Sequence, residues 1–378
     1  MSERLDAFVV CAPGLEQLVL EEVVKLGARP ASATHGGVHC GLTWPQLWGV
    51  HLRSRVATRV LVRLARFKAD GFDSLMAGLA RIDWASVLPA GGVQVTASAD
   101  SRSGLYHSGA IEERVADFLR TEVGRDTGDQ SVLVRVQRDD VTISLDATGR
   151  ALHQRGYRGE AGKAPIRETL AAALVMASGW DAKSPLIDPF CGSGTILIEA
   201  ALIARRMAPG RHREFQFMQW PSFDQGGWER LLKGHDGDVL ERCPVLLGSD
   251  RDAGAIDATL DNAQAAGVGG NIEVVRRTVS DLVVPSGKRG WVVANPPYGV
   301  RVGGHVAGQE SGTSGGDLRD QRCEGVHRVR GLQRLAVERG AGVLREVGRD
   351  EDLVWWGRLG RHGWIPSTPL AGVDKQTE

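Results

Sequence analysis

Apolar residues fall along this chain in two different rhythms. Through the first 150 residues, short alternating runs are interrupted by amphipathic blocks, each closed by glycine or proline. Residues 7–11 read as a strand. Residues 13–26 read as a helix, with Leu15, Leu18, Val19, Val23 and Leu26 at helical spacing and a stop at Gly27. A second strand is predicted at 38–42 behind a Gly-Gly turn, a helix at 45–55 and a strand at 60–64. Further on come a helix at 72–82, a strand at 93–97, a helix at 110–122, and a hairpin pairing 132–136 with 141–145 about Asp139-Asp140. This is the pattern of an α+β region.

From residue 186 the strands become short and largely apolar, and the first two run into helices, as in a parallel sheet. Such strands are predicted at 186–188, 245–250 and 291–294, with helices at 196–206 and from Asp252. Beyond residue 304 this rhythm ends. Gly308-Gln309-Glu310-Ser311-Gly312 opens a glycine- and arginine-rich stretch in which 332–344 reads as a modest helix and 353–356 as a short strand. Neither makes a sheet-completing element. Residues 305–378 are therefore expected to be an atypical or disordered tail, read in a shifted frame or, alternatively, genuinely divergent.

The candidate chemistry lies at the carboxyl ends of the predicted parallel strands, where such sheets bind ligands. Asp188-Pro189-Phe190-Cys191-Gly192-Ser193-Gly194-Thr195 is a strand end, a glycine turn and a helix start. Glycines let backbone approach a ligand closely, and the free N–H groups of the next helix face it. A dinucleotide fingerprint wants a small residue where Leu197 stands, and a phosphate loop wants a lysine that is absent, which argues against NAD and ATP. Asp250 ends the next strand, placed for ribose hydroxyls or for capping the helix near Asp252. Asn295-Pro296-Pro297-Tyr298 supplies a side-chain oxygen and a rigid backbone carbonyl as two acceptors, with an aromatic plane beside them. That set suits an amino group on a flat ring.

Charge and cysteine content narrow the classes. The 46 basic and 46 acidic residues cancel, so any grip on nucleic acid must come from local basic patches and shape. Cys11, Cys40, Cys191, Cys243 and Cys323 show no paired metal spacing, which implies no zinc site and a reducing compartment. The charged opening residues suggest neither a secretion signal nor a membrane span, and a cytoplasmic enzyme is expected.

Residues 186–299 resemble class I S-adenosylmethionine-dependent methyltransferases of the amino-methylating kind. The resemblance extends upstream through Leu145-Asp146-Ala147-Thr148-Gly149-Arg150 and His153-Gln154-Arg155-Gly156-Tyr157-Arg158, similar to the join between a THUMP domain and its methyltransferase. Ala208-Pro209-Gly210, Arg213-Glu214-Phe215 and Trp220-Pro221 match that group's insertion between its first two strands. The resemblance implies a Rossmann-like α/β methyltransferase domain with a mainly parallel sheet at 153–304. Ahead of it come an α+β ferredoxin-like domain at 1–55 and a THUMP RNA-binding domain at 56–152.

It also implies N2-methylation of guanine in structured RNA, 23S rRNA above transfer RNA. The rivals are adenine-N6 methylation of nucleic acid and an RNA-binding protein with an inactive transferase half. In that family Gly192 and Gly194, with Asp188 and flanking Cys191 and Thr195, would hold the methionine end of S-adenosylmethionine. Asp250 would take the ribose, Asp281 the adenine, and the segment with Arg167 and Thr169 would wall the cofactor. Asn295, Pro296, Pro297 and Tyr298 would hold the base. His153, Arg155, Tyr157 and Arg158 are candidate RNA contacts, or else linker residues that pin two domains.

Overall fold

The computed structural model describes residues 4–159, 166–281 and 290–296, and the backbone of short strands at 342–344, 356–358 and 364–366. The chain forms two compact units. One comprises Met1–Gly156 and Arg206–Val239, the other Tyr157–Arg205 and Leu240–Glu378.

The first unit opens with β1 (Leu5–Val10), α1 (Glu16–Lys25), β2 (Ala31–Thr34), β3 (Gly37–Leu42) and α2 (Trp44–Arg53). It continues with β4 (Arg59–Lys68), α3 (Phe72–Leu79), α4 (Trp84–Val87), β5 (Val93–Ala99), α5 (Ser108–Thr121), β6 (Gln130–Gln137) and β7 (Asp140–Asp146). All seven strands join one sheet in the order β2-β3-β1-β4-β7-β6-β5. Strand β4 makes this continuity, pairing antiparallel with β1 on one side and β7 on the other. The boundary expected between residues 55 and 56 therefore falls in the lead-in to a strand shared by both halves of a continuous sheet. One face is apolar and buried, with Ala7, Val9, Val38, Val60, Val62, Val134, Ile143 and Leu145 packed beneath helices that include α1, α2, α3 and α5. The β6–β7 hairpin turns through Arg138 and Asp139, both at positive φ, one residue earlier than expected.

The second unit begins with α6 (Glu168–Ala177), β8 (Leu186–Asp188) and α7 (Thr195–Ala204). The chain then returns to the first unit, where α8 (Gln225–Asp236) lies. Here Phe215 and Phe217 flank the His51 ring at 5.0 and 4.8 Å, and the Trp220 indole donates to Gln130 Oε1 at 2.6 Å. Gly210 is required by contact, because a Cβ there would lie 2.3 Å from the His51 carbonyl oxygen. The insertion thus completes the aromatic core of the front unit, so the expected span 153–304 is not one continuous body.

The second unit resumes with β9 (Leu246–Asp250), α9 (Ala253–Ala265), β10 (Ile272–Arg276), β11 (Trp291–Ala294) and β12 (Gly342–Leu344). Its five-stranded sheet runs β10-β9-β8-β11-β12, parallel except for β12, which pairs antiparallel with β11. The tail therefore does supply an edge strand, and residues 342–344 are extended rather than the end of the expected helix. Backbone pairing with the exposed edge of β11 overrides the weak helical pattern of that stretch. Strands β13 (Trp356–Arg358) and β14 (Trp364–Pro366) form a separate antiparallel pair. Of the strand expected at 353–356, only Trp356 is described.

Candidate functional site

The chain winds outward from β8 to β9 and β10, then returns to place β11 on the other side of β8, which makes the end of β8 a topological switch point. Asp188 is level with Gly248, so Asp250 stands level with Phe190. Ile187 is level with Val292, so Asn295 also reaches the level of Phe190. With strands about 4.8 Å apart, the ends of β9 and β11 stand roughly 10 Å from each other across the β8 turn.

That turn is held from every side. Gly192 and Gly194 have φ of 54° and 78°, the left-handed region that glycine alone adopts at little cost. The Gly192 N–H donates to Asp250 Oδ2 at 3.1 Å, and Asp250 Oδ1 accepts from the Asp252 N–H at 3.0 Å. Asp252 itself caps α9, accepting from Gly254 N–H. Asp250 therefore ties the strand end to the glycine turn. From α9, the Thr259 hydroxyl donates to the Gly192 carbonyl at 2.8 Å and Asn262 Nδ2 donates to the Ser193 carbonyl at 3.0 Å. Sequence reasoning missed these two residues. Their signal was a pair of polar positions, three apart, on the buried face of α9.

Asp188 is buried, and its Oδ1 accepts from the Phe190 N–H at 3.0 Å. Burial, with the nearby Asp250 charge adding, pushes its carboxyl up to about 7. A buried carboxyl at a glycine turn fits a cationic ligand group. Cys191 is buried and its thiol is pushed up to about 12 by burial, so it is a packing residue rather than a nucleophile. Thr195 is buried at the start of α7, where its hydroxyl accepts from the Arg158 guanidinium at 3.1 Å. Thr169 is buried within α6, and Arg167, at the α6 N-terminus, is exposed. Asp281 is exposed and accepts from the Thr278 hydroxyl at 2.7 Å, in a 3-10 turn just past β10. Asn295 and Pro296 are half-buried. Pro297 and Tyr298 lie outside the described residues.

The four candidate RNA contacts are placed differently from the expected open cluster. Arg155 is buried and donates to the Leu152 and Arg55 carbonyls at 2.7 and 2.6 Å, within the first unit. Tyr157 is buried, and its hydroxyl donates to Glu199 Oε1 at 3.2 Å. Arg158 donates to the Ile166 carbonyl at 2.8 Å and lies 3.6 Å from the Glu168 carboxylate. His153 is half-buried. Arg155, Tyr157 and Arg158 are thus engaged by backbone carbonyls and carboxylates of their own unit rather than standing as an open cluster. Among the described residues no His, Cys, Asp and Glu cluster is placed to hold a metal, and no helix is long and apolar enough to cross a membrane.

Residues 155–311 match the RMKL-like methyltransferase domain, and residues 6–61 match the RlmL ferredoxin-like domain. The chain is 39% identical over 316 residues to the ribosomal RNA large subunit methyltransferase K/L of Methylococcus capsulatus, an alignment that takes in 79% of this chain and 43% of that protein. It therefore spans less than half the length of that relative. A structure from Listeria monocytogenes, described as a predicted N6-adenine-specific DNA methylase, superposes with a TM-score of 0.74 at 34% identity, covering 79% of this chain and 81% of that one. SMU.472, a structure described as a putative methyltransferase complexed with SAH, superposes with a TM-score of 0.72 at 26% identity, covering 80% of this chain and 82% of that one. With a glycine turn at the switch point of a mainly parallel sheet and a ferredoxin-like region ahead of it, this chain belongs to the RMKL-like methyltransferase family.

Proposed function

We propose that the chain methylates the exocyclic N2 of a guanine in RNA, with large-subunit ribosomal RNA as substrate and S-adenosylmethionine as methyl donor. The observation that supports this reading is the register of β9 and β11 against β8, which, counted on past the paired residues, brings Asp250 and Asn295 to one level beside the β8 turn. Asp250 would hold the ribose of the donor, and Gly192, Gly194 and Asp188 its amino acid end, on the same sheet edge as Asn295. Bound there, the donor supplies an electrophilic methyl carbon on sulfur.

The residues of this chain do the rest by positioning. The Asn295 side-chain oxygen and the Pro296 carbonyl accept the two N–H bonds of the base amine, which raises electron density on nitrogen and aims its lone pair. Nitrogen forms the new bond to the methyl carbon as the carbon–sulfur bond breaks, and the nitrogen then sheds one proton to solvent. A paired base cannot enter this geometry, so the target is unpaired or turned out of its helix. Tyr298 is proposed to stack on it, and residues 56–152 to serve as a THUMP-type RNA-binding region. The names of two relatives favour ribosomal RNA and adenine in DNA respectively, so adenine-N6 is the second reading.

The test is transfer of tritiated methyl groups to ribosomal RNA, transfer RNA and DNA, followed by nucleoside mass spectrometry. N2-methylguanosine in ribosomal RNA supports the proposal. N6-methyladenine as the product overturns it.

A further inference from the structure

The seven-stranded sheet buries one face fully and the other only in part, Ser144 and Asp146 being buried there, and the cations on its open part are not balanced by acids. Register fixes which side chains share it. Arg66 pairs with Thr142, and Thr142 pairs with Arg135, so the two arginines stand in one row across β4, β7 and β6, roughly 10 Å apart at two strand spacings. Arg63 pairs with Ser144, one same-face step along β7, and a bulge between Arg63 and Ala65 keeps Arg63 and Arg66 on the same face. Opposite Arg63 on β1 lies Asp6, whose carboxylate is 3.9 Å away.

Arg63 is braced rather than free. Its guanidinium lies 5.2 Å from the centre of the Phe8 ring and donates to His39 Nδ1, which makes that imidazole an acceptor and hence neutral. Burial lowers the His39 pKa, and the charges of Arg63, Arg66 and Arg135 lower it further. Arg66 and Arg135 are exposed and have no ion pair or hydrogen bond among the described residues. The other acids of these strands are already engaged, Asp140 by Lys68 at 3.1 Å and buried Asp146 by Arg59. Around the arginines stand the hydroxyls of Thr142, Ser98 and Thr96, of which the last two are exposed on β5. Three mutually repelling guanidinium groups with one weak counter-ion, on a chain whose total charge is zero, form a surface that is stabilised by a polyanion.

We propose that this exposed sheet face, through Arg66 and Arg135 with Arg63 behind them, binds the phosphate backbone of the substrate RNA. The occupant follows from charge complementarity: a row of guanidinium groups spaced along a flat face, flanked by hydroxyls, suits repeated phosphates. The proposal rests on the reading of the chain as an RNA methyltransferase for the identity of that RNA, but its test is separable.

Arg66→Ala/Arg135→Ala is compared with the unmodified chain by fluorescence anisotropy with a labelled single-stranded RNA of mixed sequence across a salt series, with polyglutamate as a second probe. The expected result is RNA affinity reduced at least about tenfold and a log–log salt slope shallower by about 1.4 to 1.8. The melting temperature and S-adenosylmethionine affinity stay unchanged, because neither side chain has an intramolecular partner among the described residues. Unchanged RNA affinity and slope overturn the proposal, as does polyglutamate binding tighter than RNA. If the chain binds RNA through the two arginines yet transfers no methyl group, the functional reading fails and this surface stands. If it methylates RNA and the double variant matches it in affinity and KM, this surface fails and the functional reading stands.

Discussion

The Asp250 carboxylate accepts the Gly192 N–H at 3.1 Å, so the acid at the end of one strand directly steadies the turn at the end of its neighbour. If Asp250 also takes the donor's ribose, as proposed, loss of its carboxylate removes both the brace on the turn and the ribose contact. Asp250→Ala is expected to weaken S-adenosylmethionine binding about 10- to 100-fold, as for loss of one charged hydrogen bond, with the fold retained. Calorimetric titration with circular dichroism checks this. Donor affinity equal to that of the unmodified chain removes Asp250 from the site.

Asn295 is expected to act on the transition state rather than on the donor. Asn295→Ala should lower kcat roughly a hundred- to a thousandfold while leaving S-adenosylmethionine affinity within about twofold. Single-turnover methyl transfer with parallel calorimetry separates the two. A variant that loses donor binding and rate together contradicts the assignment.

The proposed role of Asp188 predicts a pH-dependent site. Its folded pKa of about 7 lies above the ordinary 3.8, so folding favours the neutral acid. Its contribution to stability is therefore complete below about pH 4 and is lost as pH rises to about 7. If the donor's amino cation pairs with this carboxylate, as proposed, it does so only with the ionised form, and affinity should fall toward tenfold per pH unit below 7. Asp188→Asn should flatten the dependence of both melting temperature and affinity. A pH-independent affinity between 5 and 8, read by titration, rules out this role.

Tyr157 separates a pinning role from an RNA contact. Tyr157→Phe removes the donor to buried Glu199 and should cost about 1–3 kcal/mol of stability in the second unit while leaving RNA affinity unchanged. Denaturant melts and anisotropy test both halves. Weaker RNA binding at unchanged stability would restore Tyr157 to the RNA surface.

The parts legible in the sequence were those where one local pattern decides the structure. The Asp188 to Thr195 turn and the Asn295-Pro296 strand end carry their own chemistry, and α1 and α5 carry their own periodicity. Strand β2, Ala-Ser-Ala-Thr and largely exposed, has no alternation to read and exists because β3 offers an edge. Helix α6 is apolar nearly all round, so it shows no stripe. Cationic and aromatic residues at 155–158 read as surface chemistry because sequence shows charge but not the carbonyls and carboxylates that absorb it.

The return of residues 206–239 to the first unit has a consequence for biosynthesis. Phe215, Phe217, Trp220 and Trp228 are buried there, so a nascent chain released only through Gly156 lacks a large part of its aromatic interior. The amino-terminal body must wait, half-built, while the ribosome makes the opening strand and helices of the other body. Truncation before residue 239 should therefore yield an insoluble fragment, however well its own strands pair.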